Sequence, residues 1–190
     1  MPDRGRLIAL ECVDDALLDA VTRRLYRHLR ARGVACEHTA EPTYGPVGAQ
    51  LLLARQGRLQ FGPLSRALVD LADRLDHLGR EDGIVAWLEA GRCVLCAHYL
   101  LSAWARLIDH VDLAWLCAIN ARCPAPDLTL LIEVPPAPEN AALAENYARV
   151  GRQTGHKIAV IDGRGASIEQ IFDLCRRRLD PLCQRSSKPA

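Results

Sequence analysis

The sequence predicts a three-layer α/β/α domain built on a five-stranded parallel sheet. Short, continuously apolar segments alternate along the chain with longer segments whose apolar residues recur every three or four positions. The short segments lack the apolar–polar alternation of half-exposed strands. This is typical of a parallel sheet covered by helices on both faces. The length of 190 residues suits a single domain of ordinary size.

Each predicted strand is apolar and is bounded by turn residues or by the start of a helix. The first helix begins after a pair of aspartates, and Gly33 ends it as a C-terminal cap. Prolines and a glycine predict a loop at 41–46. The five strands are expected at residues 7–10, 34–39, 93–96, 127–134 and 156–161.

The predicted helices are amphipathic, and the third carries a stripe of five leucines that indicates a core or an interface. Ser167 and Gln170 form a capping box before the last helix. Residues 1–182 are expected to be one domain, followed by a loose polar tail at 183–190. The helices are expected at about 17–29, 47–55, 64–78, 84–88, 102–108, 112–120, 139–152 and 168–178.

Composition excludes several classes of partner. The 24 basic and 23 acidic residues nearly cancel, which gives no general attraction to nucleic acid or to an anionic membrane. No apolar run approaches the roughly 20 residues of a membrane span. The N-terminal residues show no signal-peptide pattern, so we expect a cytoplasmic protein. Only two lysines are present, Lys157 and Lys188, so chemistry that needs a lysine in the first 156 residues is absent.

The eight cysteines raise the question of a metal site. Only Cys93 and Cys96 have Cys-x-x-Cys spacing, and they lie on a predicted strand, where residues three apart face opposite sides. A zinc site needs both on one side and a second pair of ligands, which the sequence does not offer. We therefore expect no metal site and cysteines that are buried as small apolar thiols.

Several segments after the predicted strands resemble one family. The segment from Leu10 to Asp19 is similar to a motif that reads Glu-Gly-x-Asp-Gly-x-Gly-Lys-Ser/Thr after the first strand. The segment from Thr39 to Gly48 is similar to a Thr-Arg-Glu-Pro motif followed by a Gly/Thr-rich turn. These are motifs of the thymidylate kinase family of P-loop nucleoside monophosphate kinases, so the resemblance implies a P-loop NTPase fold.

Three further segments support the resemblance, which extends over nearly the whole chain. Residues 70–74 match Phe-Ala-x-Asp-Arg, residues 97–102 match Asp-Arg-Tyr-x-x-Ser, and residues 126–136 match Pro-Asp-Leu-Thr-Leu with a hydrophobic-acidic-Val-Pro end. Five fragments in the right order and spacing indicate common descent.

The phosphate-binding loop of the family is not preserved. Such a loop needs glycines that turn backbone N–H groups toward the phosphates, a lysine, and a hydroxyl that holds Mg²⁺. Here Cys12, Asp15 and Leu17 stand at glycine positions. Leu18 replaces the lysine, and Asp19 replaces the Ser/Thr. We expect the aspartates to cap an ordinary helix start rather than to accept a triphosphate.

Other parts of the family's catalytic machinery are also missing. Ala40 replaces an arginine, and Ala97 and His98 replace an Asp-Arg pair. The lid, an arginine-bearing segment after the fourth strand, is very short because 135–138 lead almost directly into the next helix. Since phosphoryl transfer depends on positioning and charge stabilisation, these losses together predict no catalytic residues and no catalysis.

Six residues match positions of the family's monophosphate pocket, and two interpretations stay open. They form a residual nucleotide pocket, or they are scaffold, with Asp14 and Ser102 capping helices and Glu41 paired with Arg74. Asp70 favours the scaffold interpretation, because the family has an aromatic residue there to stack on the base. The six residues are Asp14, Glu41, Pro42, Arg74, Tyr99 and Ser102.

Two other polar features have an ordinary interpretation. His98 has a pKa near neutrality in its unperturbed form and could act as an acid–base group, but a histidine at a strand end is more often simply hydrogen-bonded. Asp109 and Asp112 flank a histidine and resemble a metal cluster, but they mark a helix end and the next N-cap. Ala103 and Arg106 replace polar and aromatic groups of the family's pocket.

These observations predict a catalytically inactive thymidylate kinase-like protein that acts through protein contacts or as a regulator. The resemblance implies a homodimer or heterodimer formed through helices, with the three tryptophans, Trp87, Trp104 and Trp115, as candidate anchors. One alternative is an atypical kinase that uses ATP and Mg²⁺, with phosphate held by arginines such as Arg23, Arg24 or Arg106. Another is a module that senses a nucleoside monophosphate. No cofactor is expected except under the first alternative.

Overall fold

A computed structural model describes residues 4–183 of the chain and confirms the predicted three-layer architecture. One five-stranded sheet, parallel throughout, forms its centre. The strands are β1 (Leu7–Cys12), β2 (Cys36–Ala40), β3 (Cys93–Ala97), β4 (Leu128–Glu133) and β5 (Ile158–Asp162). Their order across the sheet is β2-β3-β1-β4-β5. The carboxyl ends of β1, β2 and β3 therefore meet at one edge.

The helices follow the amphipathic segments of the sequence, and a short 3-10 turn, Pro138–Asn140, precedes the seventh. None of the helices between residues 4 and 183 combines the length and the apolarity that a bilayer crossing requires. The helices are α1 (Asp15–Ala31), α2 (Pro46–Arg55), α3 (Pro63–Gly79), α4 (Ile84–Glu89), α5 (Leu100–Ala105), α6 (Leu113–Ile119), α7 (Ala141–Gln153) and α8 (Ile168–Leu179).

The sheet separates two apolar cores. On one face, side chains of α1 and α8 pack on the alternate residues of the strands, and Leu18 is 1% exposed within this core. On the other face, α3 to α7 form a second core that includes Trp104. Because both faces are covered, the three inner strands, β3, β1 and β4, are apolar along most of their length.

Helix α3 is unusual because it buries polar side chains and exposes leucines. Its inward face carries a carboxylate, a guanidinium and an imidazole: Asp73, Arg74 and His77. Three of the five leucines of the stripe lie on the other side and are exposed, whereas Leu78 is in the core and Leu71 packs against it. The exposed leucines are Leu64 (60% exposed), Leu68 (51%) and Leu75 (47%).

Some predicted boundaries were wrong at the ends of elements. Helix α5 begins at Leu100 rather than at Ser102, so Ser102 lies inside the helix and does not cap it. Strand β2 begins at Cys36, two residues later than expected. The capping box of Ser167 and Gln170 is confirmed.

The expectation of buried free thiols was wrong for one pair of cysteines, and Cys117 is only partly buried. Cys93 and Cys183 form a disulfide with their Cα atoms 6.1 Å apart. Cys183 falls in the predicted loose tail, but it is buried against the core of α1 and α8. Residues 184–190, the rest of that predicted tail, lie outside the described residues. Cys93 and Cys96 contribute to opposite cores, as the strand geometry predicts.

Candidate functional site

The β1–α1 connection consists of only two residues, Val13 and Asp14. The Asp14 side chain accepts a hydrogen bond from the Leu17 backbone N–H at 2.9 Å and so caps α1. Residues 15–19, which align with the second half of the family's phosphate-binding loop, are already helical. Leu18, at the lysine position, is packed in the core. Asp14 therefore has the capping role that the scaffold interpretation predicts.

Asp15, the first residue of α1, faces one histidine and two arginines. One oxygen lies 3.1 Å from His98 Nε2 and 4.0 Å from Arg106 Nη2, and the other lies 3.6 Å from Arg55 Nη1. The hydrogen bond from His98, aided by the two arginines, lowers the pKa of Asp15 to about 2. Asp19, one turn later, is instead paired with Arg23 at 2.8 Å.

His98 follows β3 directly and has a backbone φ of 58°, which is uncommon for a residue other than glycine. Its ring is buried, and each nitrogen has a partner: Nε2 meets Asp15, and Nδ1 lies 3.0 Å from Ser102 Oγ. Burial lowers the pKa of His98 below its usual value. His98 is thus a hydrogen-bonded residue that fixes the β3–α5 corner, as the ordinary interpretation predicts.

Glu11 is the one charged side chain of β1, and it is fully buried. Its Oε1 accepts from the Tyr99 backbone N–H at 3.1 Å, and its Oε2 shares a hydrogen bond with the hydroxyl of Ser102. That hydroxyl also lies 2.7 Å from the hydroxyl of Tyr147 on α7. Burial raises the pKa of Glu11 to about 7. The carboxyl group therefore titrates near neutral pH.

Hydrogen-bond donation in this network couples Glu11 to His98. A serine hydroxyl has one proton to donate. If Ser102 donates to an ionised Glu11, the nearby His98 nitrogen must carry a proton to bond with Ser102. If His98 Nδ1 carries no proton, it accepts a hydrogen bond from Ser102. Glu11 must then be protonated, so that its hydroxyl donates to the Ser102 oxygen. The raised pKa of Glu11 and the lowered pKa of His98 both favour the second arrangement.

A buried ion pair occupies the second part of the site. Arg74 Nη2 lies 2.8 Å from Glu41 Oε2, and the two side chains are 2% and 6% exposed. Arg74 also donates to Asn120 at 2.7 Å and lies 5.3 Å from the centre of the Tyr99 ring. His77 Nδ1 is 3.3 Å from the other Glu41 oxygen. The predicted pairing of Glu41 with Arg74 is confirmed.

The loop that carries Glu41 is fixed to α3. Pro42 follows Glu41 through a cis peptide bond. Asp73 accepts from the backbone N–H of Thr43 at 2.8 Å and from its hydroxyl at 2.6 Å. Gly48 allows this approach, since a Cβ atom there would lie 2.2 Å from the Thr43 carbonyl oxygen. The loop therefore lies close against α2 and α3.

Little space remains where these residues meet. Asp70 does not offer a stacking surface, because Arg66 bonds it with two contacts of 3.2 and 3.1 Å. Burial raises the pKa of Asp70 above its usual value. The cavity between Pro42 and Arg74 has a volume of about 20 Å³, enough for about one water molecule. Pockets for small molecules usually have volumes of about 300 to 1,000 Å³.

Larger spaces lie beside this cavity. A groove of about 780 Å³ runs between α1, the end of β2 and α2, and Glu41, Pro42 and His98 line both this groove and the small cavity. A cavity of about 300 Å³ lies at the β1–α1 connection, lined by Asp14, Asp15 and Arg106 among others. Asp15 lines both larger spaces.

The structure brings five of the six predicted site residues together. Glu41, Arg74 and Tyr99 are in contact, Pro42 lines the same small cavity as Ser102, and Asp14 lies apart at the β1–α1 connection. Sequence reasoning assigned no role to three polar side chains that complete the cluster. These are Glu11, Asp73 and Asn120. Glu11 could have been found, because a lone carboxylate in an otherwise apolar strand predicts a buried acidic group.

Among residues 4–183, no group of three or more histidine, cysteine or acidic side chains is arranged to hold a metal ion. Asp112 caps α6 by accepting from the Trp115 backbone N–H at 2.9 Å, as predicted. Asp109 bonds with Asn146 and Arg149 of α7.

Comparison with known proteins gives a consistent result. The family model described as thymidylate kinase matches residues 18–156, and its match begins after the β1–α1 connection. A thymidylate kinase of Xylella fastidiosa (strain M12) is 35% identical over 134 residues, which cover 70% of this chain and 60% of that protein. One of Desulfotalea psychrophila is 31% identical over 132 residues, which cover 69% of this chain and 64% of that protein. The chain thus spans less than two thirds of the length of these curated relatives.

A solved structure supports the fold independently. The thymidylate kinase of Ehrlichia chaffeensis matches with a TM-score of 0.77 at 18% identity, over 93% of this chain and 100% of that one. At that identity the likeness concerns the fold alone. Because the family model matches more than half of the sequence, the chain belongs to the thymidylate kinase family.

Proposed function

We propose that this chain is a catalytically inactive member of its family that acts through protein contacts. The observation that carries the proposal is the β1–α1 connection. Its two residues leave no loop of backbone N–H groups to surround a triphosphate, and the Asp14 side chain already bonds to the Leu17 N–H at the helix start. Leu18 at the lysine position lies in the core, so no cation projects from there.

The arginines of the alternative kinase hypothesis have partners elsewhere. Arg23 is paired with Asp19, and Arg24 with Glu169. Arg106 lies near Asp15, whose carboxylate would repel a triphosphate. These contacts favour the inactive protein over a kinase that uses arginines in place of the lost loop.

The exposed leucines of α3 are the surface that we assign to protein contacts. Leu64, Leu68 and Leu75 are each at least 47% exposed. They are spaced four and seven residues apart on α3 and therefore lie on one side of the helix. An apolar patch of this kind is typical of a protein–protein interface. We propose that α3 forms a helical dimer, either with a second copy of this chain or with a related chain.

The test of inactivity is a turnover assay with dTMP, ATP and Mg²⁺. We expect no formation of dTDP above background, whereas the thymidylate kinase of Xylella fastidiosa serves as the positive control under the same conditions. Turnover that requires both dTMP and this chain would overturn the proposal. A melting experiment adds binding to the test, because a ligand at 100 times its Kd adds about 2.7 kcal/mol to the free energy of unfolding. A raised melting temperature with ATP and Mg²⁺ would also contradict the lost triphosphate site.

The dimer is tested by analytical ultracentrifugation of the wild-type chain and of Leu68→Glu. We expect the wild type to associate and the variant to be monomeric, since a charge in an apolar interface disfavours association. The matched control is Leu174→Glu on α8, which is 38% exposed and lies away from α3. A monomeric wild type at all concentrations, with no heterologous kinase bound, would rule out the α3 interface.

A further inference from the structure

A chain of hydrogen bonds connects the buried carboxyl group of Glu11 with the exposed carboxylate of Asp15. Ser102 Oγ shares a hydrogen bond with Glu11 and lies 3.0 Å from His98 Nδ1. His98 Nε2 lies 3.1 Å from an oxygen of Asp15. The chain thus joins β1, the β3–α5 corner and the first turn of α1. We propose that it is a pH-sensitive latch: protonated Glu11 keeps Asp15 bonded to His98, and ionised Glu11 releases it.

The first argument is the count of protons when Glu11 is protonated. A serine hydroxyl has one proton and two acceptor lone pairs. The carboxyl group of Glu11 and the hydroxyl of Tyr147, 2.7 Å away, both donate to Ser102 Oγ. The proton of Ser102 then goes to His98 Nδ1. The one ring proton of neutral His98 is therefore on Nε2, where it donates to Asp15, and the latch is closed.

Loss of the Glu11 proton reverses the two inner hydrogen bonds. Ionised Glu11 can only accept, so Ser102 donates to it. Ser102 then has no proton for His98, and Nδ1 must carry one to keep its bond to Ser102 Oγ. In the neutral ring Nε2 is left with a lone pair that faces the Asp15 carboxylate. The hydrogen bond to Asp15 is lost, and the latch is open.

The surroundings of His98 disfavour an imidazolium, which would keep both of its hydrogen bonds. Burial lowers the pKa of His98, and the charges of Arg106 and Arg55 act in the same direction. The carboxylate of Asp15 opposes them, but the pKa still falls below its usual value. His98 therefore responds to Glu11 by moving its one ring proton between the two nitrogens.

The surroundings of Glu11 place its ionisation near neutral pH. Burial raises its pKa to about 7, against the effects of its hydrogen bonds and of the charge of Arg106. Tyr147 on α7 and Cys96 on β3 also interact with it. Burial raises the pKa of both, so they stay neutral in this range and do not compete with Glu11 for the titration.

Release of Asp15 changes the wall of a groove. The remaining ion pairs of Asp15 within residues 4–183 are with Arg55 at 3.6 Å and with Arg106 at 4.0 Å, both longer than a hydrogen bond. Asp15 and His98 line the groove of about 780 Å³ together. The latch therefore couples the protonation of a buried carboxyl group to the connection between α1 and the β3–α5 corner in this groove.

The test is NMR spectroscopy of the histidine ring nitrogens, which identifies the nitrogen that carries the proton. In the wild type we expect His98 to change from the Nε2–H to the Nδ1–H tautomer as the pH rises from about 6 to about 8.5, with a midpoint of about 7. The variant His98→Asn identifies the His98 signals, because asparagine tolerates the positive φ of 58° at this position.

Glu11→Gln is the decisive variant. Its amide N–H donates to Ser102 as the protonated acid does, and it has no proton to lose in this range. We expect its His98 to remain the Nε2–H tautomer at every pH. The matched control is Asp19→Asn, which removes a carboxylate of α1 that pairs with Arg23, and we expect it to follow the wild type.

Should Glu11→Gln fail to fold, Ser102→Ala provides the same test, because it removes the bridge between Glu11 and His98. We again expect the Nε2–H tautomer, bonded to Asp15, throughout the range.

Three results would overturn the proposal. One is a wild-type His98 that keeps a single tautomer over the whole range. Another is a change of tautomer that persists in Glu11→Gln. The third is an imidazolium that loses one proton as the pH rises, since His98 would then titrate by itself. None of these results bears on the proposed inactivity or on the α3 dimer, because the measurement involves neither turnover nor association.

Discussion

At two corners of the sheet edge, polar side chains bond to other groups of the protein, but the residues involved differ in their relation to the family's motifs. At the β1–α1 corner the residues have changed, and Asp14 and Asp15 now bond within the protein. At the corner after β2 the residues that match the family remain, but Glu41 and Arg74 bond to each other. Retention of a motif residue therefore does not mean that its side chain is free to meet a ligand. The two corners also differ in burial. The side chains of Arg74 and Glu41 are 2% and 6% exposed, whereas that of Asp15 is 60% exposed.

Because of this difference in burial, we expect Arg74→Ala to cause the largest loss of stability. Removal of the guanidinium leaves the Glu41 carboxylate buried without its main partner, and we expect a loss of about 3 to 5 kcal/mol in the free energy of unfolding. Urea denaturation at neutral pH measures it. The double variant Glu41→Gln/Arg74→Met should recover part of the loss, because no charge is then left unpaired. A loss below about 1 kcal/mol for Arg74→Ala would mean that the pair is solvated and the pocket open.

The second prediction concerns pH and Glu11. Its pKa is about 7 in the folded chain, against 4.5 for a glutamate side chain in water. Between these values the folded protein holds a proton that the unfolded chain has lost. The contribution to stability is therefore complete below pH 4.5 and is lost as the pH rises to about 7. The loss amounts to roughly 3 kcal/mol at most.

Glu11→Gln isolates this effect, because its amide has no proton to lose in this range. We expect the stability of the wild type to fall relative to the variant between about pH 5 and about pH 7.5, as measured by urea denaturation at the two values. The difference between the two proteins cancels the titration of other groups. Parallel pH profiles would show that Glu11 is ionised throughout in the folded state.

The third prediction tests the helix cap at the β1–α1 corner. Asp14→Ala removes the acceptor for the Leu17 N–H, and a lost cap costs about 1 kcal/mol. Asp14→Asn keeps an acceptor and is the matched control. Equal stability of the alanine and asparagine variants would show that water replaces the cap and that the helix start is open to a ligand.

The sequence was sufficient for the fold and for the edge of the sheet at which the motif residues meet. The apolar strands and amphipathic helices fix a parallel sheet, and in such a sheet the segments after β1, β2 and β3 meet at one edge. The cap at Asp14 and the pair of Glu41 with Arg74 also followed from local pattern and charge.

The contacts that pack the loop after β2 and the start of α5 against their neighbours could not be read from the sequence. Asp73 holds the backbone of Thr43 and Ser102 reaches Glu11, and these contacts join residues 30 and 91 positions apart. The leucine stripe of α3 left core and interface open for a related reason. A period of three or four residues shows that a helix has an apolar face, but not whether that face meets the core or a partner.

The smallest effect is expected for Asp19→Ala, and it decides what the comparison of the corners means. Asp19 stands where the family has its Ser/Thr, yet it bonds only with Arg23, and both side chains are about 60% exposed. Exposed pairs of this kind contribute about 0.2 to 1 kcal/mol, so we expect a change in that range by urea denaturation. A change of several kcal/mol would mean that Asp19 is coupled to the charged groups around Asp15 and that the whole first turn of α1 acts as one electrostatic unit. The distinction between Asp15, which lies near Arg55, His98 and Arg106, and Asp19, which pairs with Arg23, would then be lost.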